Sequence, residues 1–239
     1  MNTMLSKSQL PLSYMASNAF LATLPLLFLG GCSLFGKSNV PEPDYEVVAR
    51  PKEKIEIRRY EPMILARTTV ESDSFEKGGS KGFRPLFDYI SGENSARQEI
   101  SMTAPVFQNS GDGSNASSSE GGEEIPMTAP VFQQRDGATQ WTTSFVLPPS
   151  FTMETTPVPT NPDVKIVQQP ARYMAVLRFS GRRTDERYAK HVAILDDWLS
   201  KNASYRAISE PSYAGYNPPF TLPMFKRHEI LIEVEPVEK

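Results

Sequence analysis

Residues 55–72 read IEIRRYEPMILARTTVES, and residues 164–181 read VKIVQQPARYMAVLRFSG. Each stretch contains an alternating run of apolar and polar residues, a short link with a proline, and a second run. Alternation with a period of two predicts a strand, and the proline predicts a turn. The same strand–turn–strand unit is therefore predicted twice, at an offset of 109 residues (164 minus 55).

A helix is predicted after each unit. Phe83, Leu86, Phe87 and Ile90 lie at i, i+3, i+4 and i+7, which places them on one face of the first helix. Thr184 is expected to cap the second helix, whose sequence DERYAKHVAILDDWLSK carries an apolar stripe. Two related halves of this kind predict an α+β fold, in which an antiparallel sheet curled towards a barrel carries two helices.

A second repeat lies between the two halves. Residues 99–108 read EISMTAPVFQ and residues 124–133 read EIPMTAPVFQ, while residues 108–124 are rich in Gly, Ser and Glu and predict a flexible, solvated loop. Alternation within each copy predicts two strands, with Met102 and Met127 on one face. We interpret these strands either as core strands with similar packing or as the lining of a binding pocket.

The N-terminal segment has the character of an export signal. The apolar run 20–29 is too short to span a bilayer but fits the apolar region of a signal peptide. It ends in Leu29-Gly30-Gly31-Cys32, which resembles a bacterial lipoprotein signal. The resemblance implies cleavage before Cys32 and lipidation of its thiol. The alternative is an incidental buried thiol behind an ordinary export signal.

These features divide the chain into three parts. Residues 1–31 are predicted to be the signal peptide, residues 32–44 a tether, and residues 45–236 one folded domain. Cys32 is the only cysteine, so the mature chain would have no disulfide. Ser33, the residue after the anchor, is not acidic, which favours the outer membrane, facing the periplasm.

Charge and composition restrict the function. The chain has 25 Lys and Arg against 28 Asp and Glu, and this acidic balance argues against nucleic-acid binding. The sequence contains two histidines and none of the common hydrolase, metal-site or phosphate-loop motifs, so neither a metal site nor catalysis is predicted. Its content of Met, Phe and Tyr favours a cleft for a flat apolar ligand.

Several segments, taken in order, resemble the SOUL heme-binding family. The resemblance implies a twisted antiparallel β-barrel of two pseudo-symmetric halves, each with one α-helix. It also implies binding of heme or a related tetrapyrrole, and no enzymatic reaction. The segments are IEIRRYEPMILA, GFRPLFDYISGEN, the doubled MTAPV, WTTSFVLP, VPTNPDVKIV, AVLRFSG and AGYNPPFTLPMFKRHEILIEVE.

The same resemblance points to site residues. Phe83 and Phe87 match positions where the ring rests on the first helix, and the alternative is that both are ordinary core residues. Arg59 occupies the place of a histidine proposed as the iron ligand in another branch of the family. A guanidinium cannot coordinate iron, but it could pair with a heme propionate. His191 is then the candidate iron ligand, with a hydrogen-bonded core histidine as the alternative, and His228 is expected to be a surface or hydrogen-bonding residue.

The sequence thus predicts a lipid-anchored envelope protein that binds heme or a related tetrapyrrole without catalysis, as a carrier or buffer. Its predicted partners are the tetrapyrrole and the membrane. Two alternatives stay open. One is a protein–protein interaction module of the same fold, and the other is a hydrolase acting on a lipophilic substrate.

Overall fold

The computed structural model describes residues 40–95 and 122–237, all within one compact unit. Cys32, Met102 and the first MTAPV copy lie outside the described residues. Within the described part, no helix has the length and apolar character needed to cross a membrane. The elements are β1 Tyr45–Lys52, β2 Ile55–Tyr60, β3 Met63–Glu71, α1 Phe75–Ile90, β4 Val131–Asp136, β5 Gln140–Val146, β6 Lys165–Gln169, β7 Arg172–Phe179, α2 Asp185–Ser200, β8 Tyr205–Ala207, β9 Ser212–Gly215 and β10 His228–Pro236.

The strands form one antiparallel, curled sheet. Its order is β1-β2-β7-β10-β9-β4-β5-β3-β6, and β8 pairs with β10. Each strand of the first repeat pairs with a strand of the second, β2 with β7 and β3 with β6. The predicted α+β fold, a distorted barrel-like sheet built of two related halves with one helix each, is confirmed.

Consecutive strands of a repeat do not pair with each other. β2 lies between β1 and β7, whereas β3 lies between β5 and β6. The links between consecutive strands contain Pro62 and Pro170. Proline fixes φ and has no N–H for a ladder, so the chain leaves one part of the sheet there and enters another. The proline links therefore act as corners between separate parts of the sheet.

The second MTAPV copy is a strand only at its end. β4 begins at Val131, and the residues from Ile125 to Pro130 are not in a strand. Met127 and Val131 pack beside the core under α1, whereas Ala129 packs into a different cluster. The prediction that this whole copy is a strand with Met127 on its face is therefore wrong.

The two helices begin at polar caps. The Ser74 hydroxyl accepts from the Lys77 N–H at 3.3 Å, so α1 starts well before the predicted apolar pattern. The Thr184 hydroxyl accepts from the Arg187 N–H at 3.2 Å, which confirms the predicted cap of α2. Each cap satisfies a backbone donor of the first turn that has no partner within its helix.

Both helices cover the same face of the sheet, which we call the outer face. Side chains alternate between faces along each strand. In β10, Ile230 and Ile232 belong to the cluster that contains Leu195 of α2, whereas Leu231 belongs to a cluster with no helix residue. We call this second face, which includes Leu65 of β3, the inner face.

Candidate functional site

α1 presents two aromatic rings to solvent. Phe83 is 37% exposed and Phe87 is 42% exposed, although Leu86 and Ile90 of the same helix are buried. The two phenyl rings are nearly parallel, with centroids 5.9 Å apart and planes at 17°. Phe83 also packs against Phe145 of β5, at 5.1 Å between centroids. We call the Phe83–Phe87 pair the aromatic platform.

Close packing of α1 on the sheet explains why these rings lie outside. A Cβ at Gly82 would lie 2.3 Å from the Thr143 hydroxyl oxygen, and a Cβ at Gly78 would lie 2.7 Å from Trp141. The glycines therefore let the helix backbone approach β5 more closely than a side chain would permit. Bulky side chains have no room in this contact, so the platform rings flank it.

Met127 lies beside the same part of the core. It is half-buried and packs with the cluster that includes Leu86 and Phe145. Since Phe145 is also the ring that Phe83 contacts, the structure brings Met127 into the region of the platform.

Arg59 lies elsewhere in the sheet. It is on β2 opposite Tyr173 of β7, and its Nη1 donates to Glu61 Oε1 at 2.5 Å. α1 packs on β3 and β5 instead. The structure therefore places Arg59 in an ion pair of its own and does not bring it to the platform.

His191 lies on α2, half-buried and stacked on another aromatic ring. Its imidazole is 3.8 Å from the Phe179 ring, with planes at 14°. Its Nδ1 donates to the Arg187 carbonyl at 2.7 Å, which leaves Nε2 as the nitrogen with a lone pair. Burial lowers the pKa of His191, and the neutral ring favoured by that shift is the form that can coordinate iron.

The platform and His191 form two separate surfaces. The helices approach each other at their N-termini, where Asp185 accepts from the Ser74 hydroxyl at 3.0 Å and from the Phe75 N–H at 2.5 Å. The platform rings pack with Phe145, whereas His191 packs with Phe179. The resemblance therefore pointed to residues on two helices, and the structure shows that they pack with different strands.

His228 is buried instead of lying at the surface. Its Nε2 donates to the Gly181 carbonyl at 2.9 Å, so Nδ1 accepts from the Tyr213 hydroxyl at 2.6 Å. Burial lowers the pKa of His228 to about 4. With both nitrogens occupied, this side chain is a structural hydrogen-bonding residue.

Sequence reasoning missed a buried ion pair on the inner face. Arg58 donates to both carboxylate oxygens of Glu229, at 2.9 and 3.0 Å, and Tyr216 donates to the same carboxylate at 2.6 Å. Burial raises the pKa of Glu229, but the hydrogen bonds and charges of Arg58 and Arg227 outweigh it and hold the pKa below its usual range. No local signal distinguished Glu229, because β10 also contains Glu233 and Glu235.

Two cavities lie away from these surfaces. The larger, about 330 Å³, is lined by residues 41–44, 61–64, 146–149 and 151–154 together with Thr128 and Gln168. The smaller, about 150 Å³, opens on the inner face. Neither cavity is lined by a platform residue or by His191. Within residues 40–95 and 122–237, no group of three or more His, Cys, Asp or Glu side chains could hold a metal ion.

Comparisons with solved structures agree with the fold. The C-terminal domain of EcmrR is 13% identical, with a TM-score of 0.52, over 81% of this chain and 99% of that one. EcmrR in its DNA complex is 13% identical, with a TM-score of 0.51, over 77% of this chain and 58% of that one. A hydrolase from Listeria innocua is 13% identical, with a TM-score of 0.47, over 78% of this chain and 94% of that one. At these identities the likeness concerns the fold alone.

Sequence comparison is more specific. No match is found among curated proteins. The profile of the SOUL heme-binding protein family matches residues 40–120 and residues 112–233. These two matches cover both halves of the sheet and most of the chain. The chain therefore belongs to the SOUL heme-binding protein family.

Proposed function

We propose that this protein binds heme or a related tetrapyrrole on the aromatic platform, without catalysing a reaction on it. The observation that carries the proposal is the exposed, nearly parallel pair Phe83 and Phe87 in a chain of this family. A porphyrin is flat and apolar at its centre. Each ring that stacks on it contributes about 0.5–1.5 kcal/mol beyond the area that it buries.

The aromatic platform is an open surface on which a flat ligand can stack. Two rings with centroids 5.9 Å apart offer an apolar strip, and no platform residue lines either of the two cavities described above. Binding by stacking alone leaves the ligand accessible and exchangeable, which suits a carrier or buffer. His191 lies on the separate surface of α2, where its Nε2 lone pair would supply an iron ligand if heme bound there instead.

We further propose that the protein is a lipoprotein of the bacterial envelope, anchored through Cys32 and facing the periplasm from the outer membrane. The sequence Leu29-Gly30-Gly31-Cys32 after a short apolar run supports this assignment. Residues 40–44 lie against the barrel-like sheet, where Pro41 accepts from the Ala129 N–H at 3.0 Å. The chain from Cys32 to Val40 can extend at most about 28 Å. The domain would therefore stay close to the bilayer.

A heme titration tests the binding proposal. The full chain in mild detergent is titrated with ferric heme and followed by the Soret band, beside Phe83→Ala/Phe87→Ala and His191→Ala. We expect a saturable one-to-one shift in the wild type and about tenfold weaker binding in the double variant, the equivalent of two lost stacking contacts.

The variants distinguish heme binding on the aromatic platform from heme binding at His191. Tyr205→Ala, an aromatic truncation on β8, serves as the matched control and should leave the Soret titration unchanged. If His191→Ala loses the Soret shift and the double variant still binds heme, the heme-binding site lies at His191 on α2 and not on the platform. Weak, non-saturating binding in every protein would reject the tetrapyrrole function and favour the interaction-module alternative.

A further inference from the structure

The smaller cavity of the inner face contains more positive than negative charge. It is lined by Arg67 of β3, Arg135 of β4 and Arg172 of β7, with Asp136 as the only carboxylate of its lining. Arg135 and Asp136 are exposed at its rim, and Arg135 donates to the Ala138 carbonyl at 2.6 Å. Arg67 and Arg172 are half-buried. They are the two cations that a ligand in the cavity would meet.

Neither of these two guanidinium groups has a full set of short hydrogen bonds. The contact from Arg67 Nε to the Ser144 hydroxyl is 3.4 Å, and that from Arg172 Nη1 to Glu233 Oε2 is also 3.4 Å, at the long limit of hydrogen bonding. Arg172 Nε is buried and has no hydrogen-bond partner among the described residues. A buried donor without a partner is destabilising.

The electrostatics agree with this geometry. Burial lowers the pKa of both Arg67 and Arg172, and the charge of Arg67 lowers the pKa of Arg172 further, against the opposing effect of Glu233. These two like charges have lost part of their hydration and repel each other, and Asp136 and Glu233 offset this only in part, since the pKa of each arginine stays lowered. Polar groups of Gln134, Thr142 and Ser212 complete the wall. An anion would therefore relieve the repulsion between the two guanidinium groups.

We infer that this cavity is a binding site for a small oxyanion, a carboxylate or phosphate group held by Arg67 and Arg172. A guanidinium matches the geometry of either group through paired N–H donors. The volume of about 150 Å³ admits a small anion. A porphyrin would not fit in it.

This site is distinct from the aromatic platform. Thr68 and Thr143 are close to Gly82 of α1 on the outer face. Arg67 and Ser144, their neighbours along β3 and β5, point to the opposite face. The two ligands would thus bind on opposite sides of the same strands, and neither proposal depends on the other.

Anion titration of the full chain in detergent tests the inference. Inorganic phosphate and acetate are each added at constant ionic strength set with chloride, because surface charges respond to salt alone. Binding is followed by calorimetry and by the melting temperature. We expect saturable binding, reduced about tenfold to a hundredfold in Arg67→Gln and in Arg172→Gln. The control Arg178→Gln changes an exposed arginine of β7 and should bind as the wild type does.

The two anions distinguish the source of the ligand. A response to phosphate alone assigns the site to phosphate groups, and a response to acetate alone assigns it to carboxylates. A response to both supports the shared chemistry. If neither anion exceeds chloride, the inference is overturned.

The melting temperature measured without phosphate or acetate shows whether Arg67 binds an anion or stabilises the fold. Removing a poorly satisfied, half-buried charge should leave the melting temperature of Arg67→Gln no lower than that of Arg178→Gln. A large drop, together with unchanged phosphate affinity, would identify Arg67 as a structural residue and overturn its assignment to a site. The Phe83→Ala/Phe87→Ala variant should bind the anions as the wild type does, whether or not it still binds heme.

Discussion

At the scale of single residues, the two histidines differ in how much their environment restricts them. His228 is 4% exposed and has a hydrogen-bond partner on each ring nitrogen, whereas His191 is half-buried with one nitrogen bonded to a carbonyl. Protonating His228 would place a second N–H against the Tyr213 hydroxyl in a buried site. The fold therefore stabilises the neutral form of His228.

This difference predicts how stability depends on pH. The pKa of His228 falls from 6.5 in the unfolded chain to about 4 in the fold. Between these values the unfolded chain binds more protons, so stability is lost as pH falls from about 6.5 to about 4. The loss is on the order of 3 kcal/mol. Urea unfolding at several pH values should show a shallower pH slope in His228→Gln than in the wild type.

His191→Gln provides the control for this measurement. Burial also lowers the pKa of His191, but its ring is only half-buried, so its removal should change the slope less. Against the effect of burial, Arg58 and Arg227 lower the pKa of Glu229 in the fold, so Glu229 adds a loss of stability only at the acid end of this window, and it does so equally in the wild type and in both variants. An identical slope in His228→Gln and the wild type would show that His228 is not held neutral.

At the scale of elements, α1 depends on its contact with the sheet more than on its own helix propensity. It contains Gly78, Gly79, Gly82 and Pro85, all of which disfavour an isolated helix. Two of the glycines let the backbone pack against Trp141 and Thr143. Tertiary packing therefore compensates for an unfavourable helical sequence and fixes the position of the aromatic platform.

Gly82→Ala should destabilise the protein although alanine is the better helix former. The propensity gain is about 1 kcal/mol, but the new Cβ would lie 2.3 Å from the Thr143 hydroxyl oxygen and 2.8 Å from its Cβ. We expect a net loss of about 1–3 kcal/mol in the free energy of unfolding, measured in urea. Arg84→Ala, exposed on the same helix, should change it by about 0.5 kcal/mol or less. A Gly82→Ala protein as stable as the wild type would contradict the close contact.

At the scale of the whole molecule, one charged network joins distant parts of the chain. Glu229 of β10 bonds Arg58 of β2 and Arg227, and Arg227 Nη1 donates to both carboxylate oxygens of Glu42 at 3.0 Å. Glu42 belongs to the segment that follows the predicted lipid anchor. The network therefore holds the end of the predicted tether, residues 32–44, against the barrel-like sheet.

If Cys32 is the lipid anchor, replacing it should change the cellular fraction in which the protein is found. Cys32→Ser should move the protein from the membrane fraction of bacterial cells to the soluble periplasmic fraction, because one acylated cysteine carries the lipid. Ser33→Ala should remain in the membrane fraction. Mass spectrometry of the wild type should find an acylated N-terminal Cys32. Retention of Cys32→Ser in washed membranes would contradict an anchor at this residue.

The sequence by itself determined the repeated unit and its elements. Alternation in residues 55–72 and 164–181 predicted the strands, and Thr184 predicted the start of α2. Both signals are local, since side-chain period and capping depend on neighbours in the chain. The family resemblance added Phe83, Phe87 and His191 as candidates, and neither it nor the local signals related them in space.

The tertiary structure alone decided which strands pair and which side chains meet. β2 and β3 are consecutive but lie in different parts of the sheet, and the second MTAPV copy becomes a strand only at Val131. Glu229 meets Arg58, and Arg67 meets Arg172, across long separations in sequence. Such contacts depend on the closure of the whole sheet, which no local pattern of residues specifies. The outward position of the platform likewise follows from how closely α1 packs on β5.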